Sequence, residues 1–160
     1  HNPMDDGRID ANVLHDLVNE PLAPAPEFGE LAHMNRYRMG GHHMLDVSIV
    51  EMERRGRTRA HKPLAEEALY ALSGRFRTWI WDEQGREQLI EWGEGDLLSP
   101  PLGVWRRHTT RGHEPARYLA VRNNFLEVAL GMERDPLHTP IPDRYPTVIE
   151  PDYTGYGDPA

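Results

Sequence analysis

Short β-prone segments separated by turn signals occupy most of the chain and restrict its fold more than any other feature. Between residues 36 and 131, the apolar runs LYAL, WIW and YLAV each lie between stretches that contain glycine or proline. Strands that recur at intervals of roughly 8 to 12 residues are typical of an antiparallel sandwich or barrel. Runs this short need a closed or two-layered sheet to bury their side chains, so the sequence predicts an all-β domain.

The segments on either side of this region differ from it in composition. A short helix is predicted near the N-terminus from the apolar spacing of Ile9, Val13, Leu14 and Leu17. The stretch PLAPAPEFGE that follows is expected to be extended. Residues 132–160 contain six prolines and little periodicity. The predicted organisation is therefore an N-terminal arm (1–35), a β-barrel (36–131) and a proline-rich C-terminal tail (132–160).

Charge and composition argue against several classes of function. The formal net charge is −8 at pH 7, whereas general affinity for nucleic acids requires a basic face. The absence of cysteine excludes disulfides and cysteine-based zinc or redox sites. No apolar run approaches the roughly 20 residues needed to cross a bilayer. We therefore expect a cytoplasmic protein that binds neither nucleic acid nor membrane.

A first motif lies in the stretch GRTRAHKPLAEEALYALSGR. His61, Glu67 and Gly74 have the spacing of G-x5-H-x-H-x3,4-E-x6-G, the first motif of the cupin superfamily, which this stretch resembles. Gly56 is one residue closer to His61 than in that pattern, and Pro63 takes the place of the second histidine. Half of the usual histidine pair is therefore missing.

A second motif lies in the stretch GDLLSPPLGVWRRHTT and resembles the cupin pattern G-x5-P-x-G-x2-H-x3-N. Its glycines and proline match at Gly95, Pro101 and Gly103. Arg106 stands at the position of the motif's histidine and Thr110 at that of its asparagine. The resemblance spans about residues 40–125. It implies a cupin double-stranded β-helix, a jelly-roll barrel, with cupins of the gentisate dioxygenase type the nearest enzymes.

The resemblance also implies a metal site, which usually has three histidines and one glutamate. His61 and Glu67 keep their places, whereas Pro63 has no ligand atom and Arg106 is a permanent cation. Side chains two residues apart on a strand share a face, so His108 can enter the site together with Arg106. A set of two histidines and one carboxylate suits Fe(II), zinc or manganese. In the alternative, Arg106 pairs directly with Glu67 and no metal binds.

Two kinds of function follow from these alternatives. The first is a metal-dependent, oxygenase-like enzyme acting on a small organic anion, whose carboxylate Arg59 and Arg106 would hold. The second is a metal-free protein. It is either an isomerase or cyclase, in which Glu67 or His61 is the base and Arg106 stabilises negative charge, or a non-catalytic small-ligand-binding module. Glu67 and Arg106 are the candidate catalytic residues if the protein is an enzyme. Because cupins commonly pair, we expect a homodimer.

Overall fold

The computed structural model describes residues 7–41 and 45–124 and the single positions Ala129 and Pro142. Ten strands lie in these residues: β1 (Ile9–Ala11), β2 (Ala23–Pro24), β3 (Gly29–Met39), β4 (Leu45–Thr58), β5 (Glu66–Ser73), β6 (Arg75–Trp81), β7 (Glu87–Gly93), β8 (Leu97–Leu98), β9 (Trp105–Thr110) and β10 (Ala116–Asn123). No helix among the described residues is long and apolar enough to span a membrane. The predicted all-β jelly-roll fold is confirmed. The predicted tail (132–160) lies outside the described residues, except for Pro142.

Strand β4 connects the two halves of the barrel. The strand order is β7-β6-β9-β4-β10-β5-β8, and β3 also pairs with β4. Residues 45–52 of β4 pair with β10, whereas Arg57 pairs with Thr109 of β9. Between these two regions Arg55 has a left-handed backbone with φ of 64°. One long strand with an internal bend therefore makes a corner between the two layers of the sheet.

The side chains between the two layers form the core. The main cluster consists of Ala32, Val50, Met52, Leu69, Ala71, Phe76, Trp92, Leu98, Ala116, Tyr118 and Ala120. A second cluster consists of Ala60, Trp79, Trp81 and Trp105. All four tryptophans are therefore buried, as expected of core anchors. Tyr70 points outward and is exposed, as the alternation along β5 predicts.

The N-terminal segment contains a strand and turns where the sequence predicted a short helix. Ile9–Ala11 forms β1 and pairs in parallel with the end of β3. Leu14 and Leu17 pack against the cluster of Tyr37, Val47 and Ile49, on the face of the sheet opposite to the main core. The helix prediction is wrong because a short isolated helix is marginal, whereas the edge of β3 offers both backbone partners and apolar surface. Strand β3 begins at Gly29 and therefore crosses the boundary predicted at residue 36.

Arg117 attaches this N-terminal segment to the barrel. Its side chain is buried, and its Nη1 donates hydrogen bonds to the carbonyls of Leu17 at 2.8 Å and Glu20 at 2.9 Å. Its Nε donates to Glu51 Oε2 at 2.9 Å. Because one guanidinium serves two backbone acceptors and a carboxylate, the segment is part of the folded domain.

The two glycines that belong to the sequence motifs differ in their surroundings. Gly74 has φ of +75°, and an added Cβ would lie 2.6 Å from the carbonyl oxygen of Pro115. Gly95 has φ of +87° with open space around it. We expect Gly95→Ala to lower the free energy of unfolding by about 1 kcal/mol, from backbone strain alone. Gly74→Ala adds a steric clash and should lower it by roughly 3 kcal/mol.

Urea denaturation of the two variants beside the wild type measures both losses. Gly95→Ala is the matched control, because it changes a glycine with the same backbone preference but no close neighbour. Equal losses in the two variants would show that the clash at Gly74 is absent.

Candidate functional site

The barrel interior brings together side chains from three separate parts of the sequence. Glu67 lies on β5, whereas Arg106 and His108 lie on β9. His61 precedes β5, and its backbone exchanges hydrogen bonds of 3.0 and 2.9 Å with that of Arg106. Arg106 and His108 are both fully buried, with 0% of their surface exposed. The two side chains share the inner face of β9, as their spacing predicts.

His61, Glu67 and His108 are close enough to contact one common atom. Each offers one nitrogen or carboxylate oxygen, and these three atoms lie within 4.8 Å of one another. Nδ1 of His61 is 3.0 Å from the carbonyl oxygen of Arg59. Because a carbonyl only accepts hydrogen bonds, Nδ1 carries the proton and Nε2 holds the lone pair. The set predicted from the sequence is therefore assembled, with a spacing compatible with one metal ion.

Glu67 is also held by two guanidinium groups. Arg106 Nη1 donates to Glu67 Oε1 at 3.1 Å, and its Nη2 donates to the carbonyl of Pro101 at 3.3 Å. Arg122 of β10 faces Glu67 in the register of the two strands, with its Nε 3.5 Å from Oε2. Both carboxylate oxygens of Glu67 thus face a cation. The Arg106–Glu67 pair that the sequence offered as the alternative to a metal is present in the structure.

Burial keeps the two histidines of the site uncharged. It lowers the pKa of His61 from 6.5 to about 4, although the charge of Glu67 opposes this shift. The pKa of His108 is lowered well below its usual value, first by burial and then by His61 and Arg106. Among the described groups of the cluster, one carboxylate therefore faces two guanidiniums.

This charge distribution decides how well the site fits a divalent metal ion. The residue types suit one, but an ion at Glu67 would share the carboxylate with Arg106 and Arg122. Two permanent cations would then repel it at short range. Moving Arg106 away from Glu67 would leave a buried guanidinium without its anionic partner, which is costly. The residues therefore fit a metal poorly while the Arg106–Glu67 pair is formed.

Sequence reasoning missed three residues that surround His108. Thr78 lies opposite it on β6, with Oγ1 2.7 Å from His108 Nδ1, and Trp92 Nε1 donates to the same oxygen at 2.8 Å. The Tyr118 ring lies 5.6 Å from the imidazole, and burial raises the pKa of Tyr118 well above its usual value. Alternation along β10 places Tyr118 and Arg122 on one face and was the available signal. The contact of Thr78 depends on strand register, which no local pattern gives.

Arg59 lies outside this cluster. Its side chain is exposed, and its backbone carbonyl, not its guanidinium, contacts His61. Arg122 instead brings the second guanidinium to Glu67. The substrate-binding role expected of Arg59 stays a prediction.

Solved structures similar to this chain include domains named as cupins. The cupin domain of Schizosaccharomyces pombe Cnp3 is 12% identical, with a TM-score of 0.59 over 78% of this chain and 84% of that chain. A mutant oxalate decarboxylase of Bacillus subtilis is 21% identical, with a TM-score of 0.55 over 67% of this chain and 28% of that chain. The Drosophila melanogaster CENP-C cupin domain is 12% identical, with a TM-score of 0.51 over 57% of this chain and 65% of that chain. No family model and no curated protein matches the sequence.

These likenesses show that the chain has the fold of the cupin superfamily. They include a named enzyme, the decarboxylase, of which this chain spans about a quarter, beside domains named only as cupins. Because one fold supports many activities, they do not select a function. Dioxygenase-like activity, the homodimer and the cytoplasmic location stay predictions.

His61 should give the stability of the metal-free protein a distinct pH dependence. Its folded-state pKa of about 4 lies below the ordinary 6.5, so only the unfolded chain binds the proton between these values. The contribution of His61 is complete above pH 6.5 and is lost as the pH falls toward 4. His61→Asn should therefore reduce the slope of the free energy of unfolding against pH by up to about 1.4 kcal/mol per unit.

Urea denaturation of chelator-treated protein at several pH values across this range measures the slope. Asparagine retains an amide that can donate to the Arg59 carbonyl, so the comparison isolates the titrating ring. Identical slopes in the variant and the wild type would contradict the pKa assigned to His61.

Proposed function

We propose that the protein binds a small organic carboxylate in the barrel interior, with Arg106 and Arg122, and needs no metal to do so. The observation behind this proposal is the convergence of both guanidiniums on Glu67. The two guanidiniums would attract an anion at short range, whereas they would repel a divalent cation. The planar donor fork of arginine also matches the two oxygens of a carboxylate.

His61 is the residue best suited to exchange a proton with the bound anion. Its Nδ1 proton is directed to the Arg59 carbonyl, which leaves Nε2 as a proton acceptor. A base beside a guanidinium supports isomerisation or cyclisation, in which Arg106 stabilises the negative charge that develops on the substrate. Binding without turnover would make the protein a small-ligand-binding module that uses the same residues.

Calorimetric titration of chelator-treated protein with oxalate, malonate, glycolate and benzoate tests this function. We expect at least one of them to bind with a Kd on the order of 10 to 1,000 µM. Arg122→Gln should weaken that binding by about tenfold or more, because it removes a charge-assisted hydrogen bond to the anion. The side chain of Arg122 is 25% exposed, so the variant should still fold.

Arg86→Gln is the matched control. Arg86 lies in the β6–β7 turn with its side chain 83% exposed, so the variant loses the same charge far from the site. Its affinity for the same carboxylate should equal that of the wild type. No binding of any of the four anions, or equal losses in the two variants, would contradict the proposal.

A metal-dependent, oxygenase-like enzyme is the second candidate, favoured by the spacing of His61, Glu67 and His108. These residues would hold Fe(II), zinc or manganese, which would supply open coordination positions for a substrate. Arg122 would then hold the substrate anion. This candidate requires Arg106 to give up its contact with Glu67.

Arg106→His separates the two candidates. The change removes the buried cation and adds a ligand nitrogen at the position where the motif has histidine, so we expect at least a tenfold gain in zinc affinity. Competition with a chromogenic chelator measures it. Arg106→Gln is the control, because it removes the charge without adding a good ligand.

Elemental analysis of the wild type, purified without chelator, completes this comparison. The metal-free proposal predicts less than about a tenth of an equivalent of iron, zinc or manganese per chain. Stoichiometric metal in the wild type, together with no gain in Arg106→His, would support the second candidate instead.

A further inference from the structure

One nitrogen of His108 is buried without a hydrogen-bond partner. Nε2 has none among the described residues, and the side chain is 0% exposed. Folded proteins rarely leave such an atom unpaired, and the exceptions are often at binding sites. His108 also lies in the cluster with His61 and Glu67. Nε2 is therefore a candidate contact for a bound ligand, and its protonation decides which ligand it accepts.

Two neighbours determine which nitrogen of His108 carries the proton. An indole N–H only donates, so Thr78 Oγ1 accepts the hydrogen bond from Trp92 at 2.8 Å. The acceptor that the described residues offer to the Thr78 hydroxyl proton is His108 Nδ1, at 2.7 Å. When Thr78 donates to Nδ1, a neutral His108 must carry its proton on Nε2. The opposite tautomer would leave the hydroxyl proton of Thr78 buried without an acceptor.

The two histidines of the site then have opposite roles. His61 donates from Nδ1 to the Arg59 carbonyl, so its Nε2 accepts. His108 accepts at Nδ1 from Thr78, so its Nε2 donates. One ligand-type nitrogen of each lies within 4.8 Å of the other. A hydroxyl oxygen about 2.8 Å from both nitrogens fits this separation, because it can accept from one and donate to the other.

We propose that the ligand is a small hydroxycarboxylate whose hydroxyl group lies between His108 Nε2–H and His61 Nε2. The carboxylate would lie against Arg106 and Arg122, so this inference rests on the proposed function for the anionic part of the ligand. Thr78 acts as a positioning residue, since it fixes the proton of His108 without contacting the ligand. His108 is then a hydrogen-bond donor to the ligand and does not coordinate a metal.

The tautomers are measured directly on ¹⁵N-histidine-labelled wild type, by long-range ¹H–¹⁵N correlation at pH 7.5. For His108 we expect a pyrrole-type shift at Nε2 and a pyridine-type shift at Nδ1, and the reverse for His61. A pyridine-type Nε2 in His108 would overturn the inference. This result is independent of any ligand, so it stands even if no carboxylate binds.

Glycolate and acetate form the matched ligand pair, because they differ only in the hydroxyl group. We expect glycolate to bind wild type about tenfold more tightly than acetate. Thr78→Val should reduce that ratio to about one, while Thr78→Ser, which keeps the hydroxyl, should preserve it. Thr109→Val is the control, because its buried hydroxyl donates to the Arg77 carbonyl instead.

The outcomes separate this inference from the proposed function. Equal, Arg122-dependent affinities for glycolate and acetate would overturn the hydroxycarboxylate inference and leave carboxylate binding intact. A glycolate preference that survives in a folded Thr78→Val would also overturn it. If Thr78→Val fails to fold, the tautomers of the wild type and its ratio of glycolate to acetate affinity still test the hydroxycarboxylate inference.

Discussion

The ion pair between Arg106 and Glu67 is the interaction on which the rest of the site depends. It joins β9 to β5 across the barrel interior, and the same guanidinium reaches the carbonyl of Pro101 in the loop between β8 and β9. Both residues are buried, so removing Glu67 would leave the Arg106 guanidinium without its anionic partner, at a cost of about 3–5 kcal/mol, whereas removing Arg106 would leave Glu67 facing Arg122. Arg106 stands where the cupin motif has a metal-binding histidine. One substitution therefore changes the net charge of the site and the kind of ligand that can neutralise it.

Beside this ion pair, the two uncharged histidines determine where the site donates and where it accepts hydrogen bonds. Burial, followed by the effects of His61 and Arg106, lowers the pKa of His108 and keeps it uncharged, and burial does the same for His61 despite the opposing charge of Glu67. Neutral imidazoles have distinct donor and acceptor nitrogens, which neighbouring groups select. A backbone carbonyl makes this choice for His61, and the hydroxyl of Thr78 makes it for His108. The two histidines of the predicted metal site thus have opposite hydrogen-bonding roles.

The similar solved structures share the barrel fold with this chain but do not identify the ligand of its site. Its neighbours share the barrel at identities from 11% to 23%, and they include both an enzyme and domains named only as cupins. This chain departs from the cupin motifs at Pro63 and Arg106, and Arg122 and Thr78 contact the remaining groups of the site. These residues, rather than the fold, support a carboxylate ligand over a metal ion.

The sequence by itself determined the class of fold and the residues that line the candidate site from β5 and β9. Period-two alternation is a local property of extended chain, so it correctly placed Arg106 and His108 on one face of their strand. Motif spacing joined His61 to this set, which the structure assembles within 4.8 Å.

Only the tertiary structure decided what those residues contact. Arg122, and not Arg59, faces Glu67 because of the register between β5 and β10. Register likewise places Thr78 opposite His108. Residues predicted to begin a helix instead pair with the edge of β3 and form β1. Strand pairing depends on packing between residues far apart in the chain, which local periodicity does not encode. Which side chains lie inside was thus a local property of the sequence, and their partners were fixed by non-local packing.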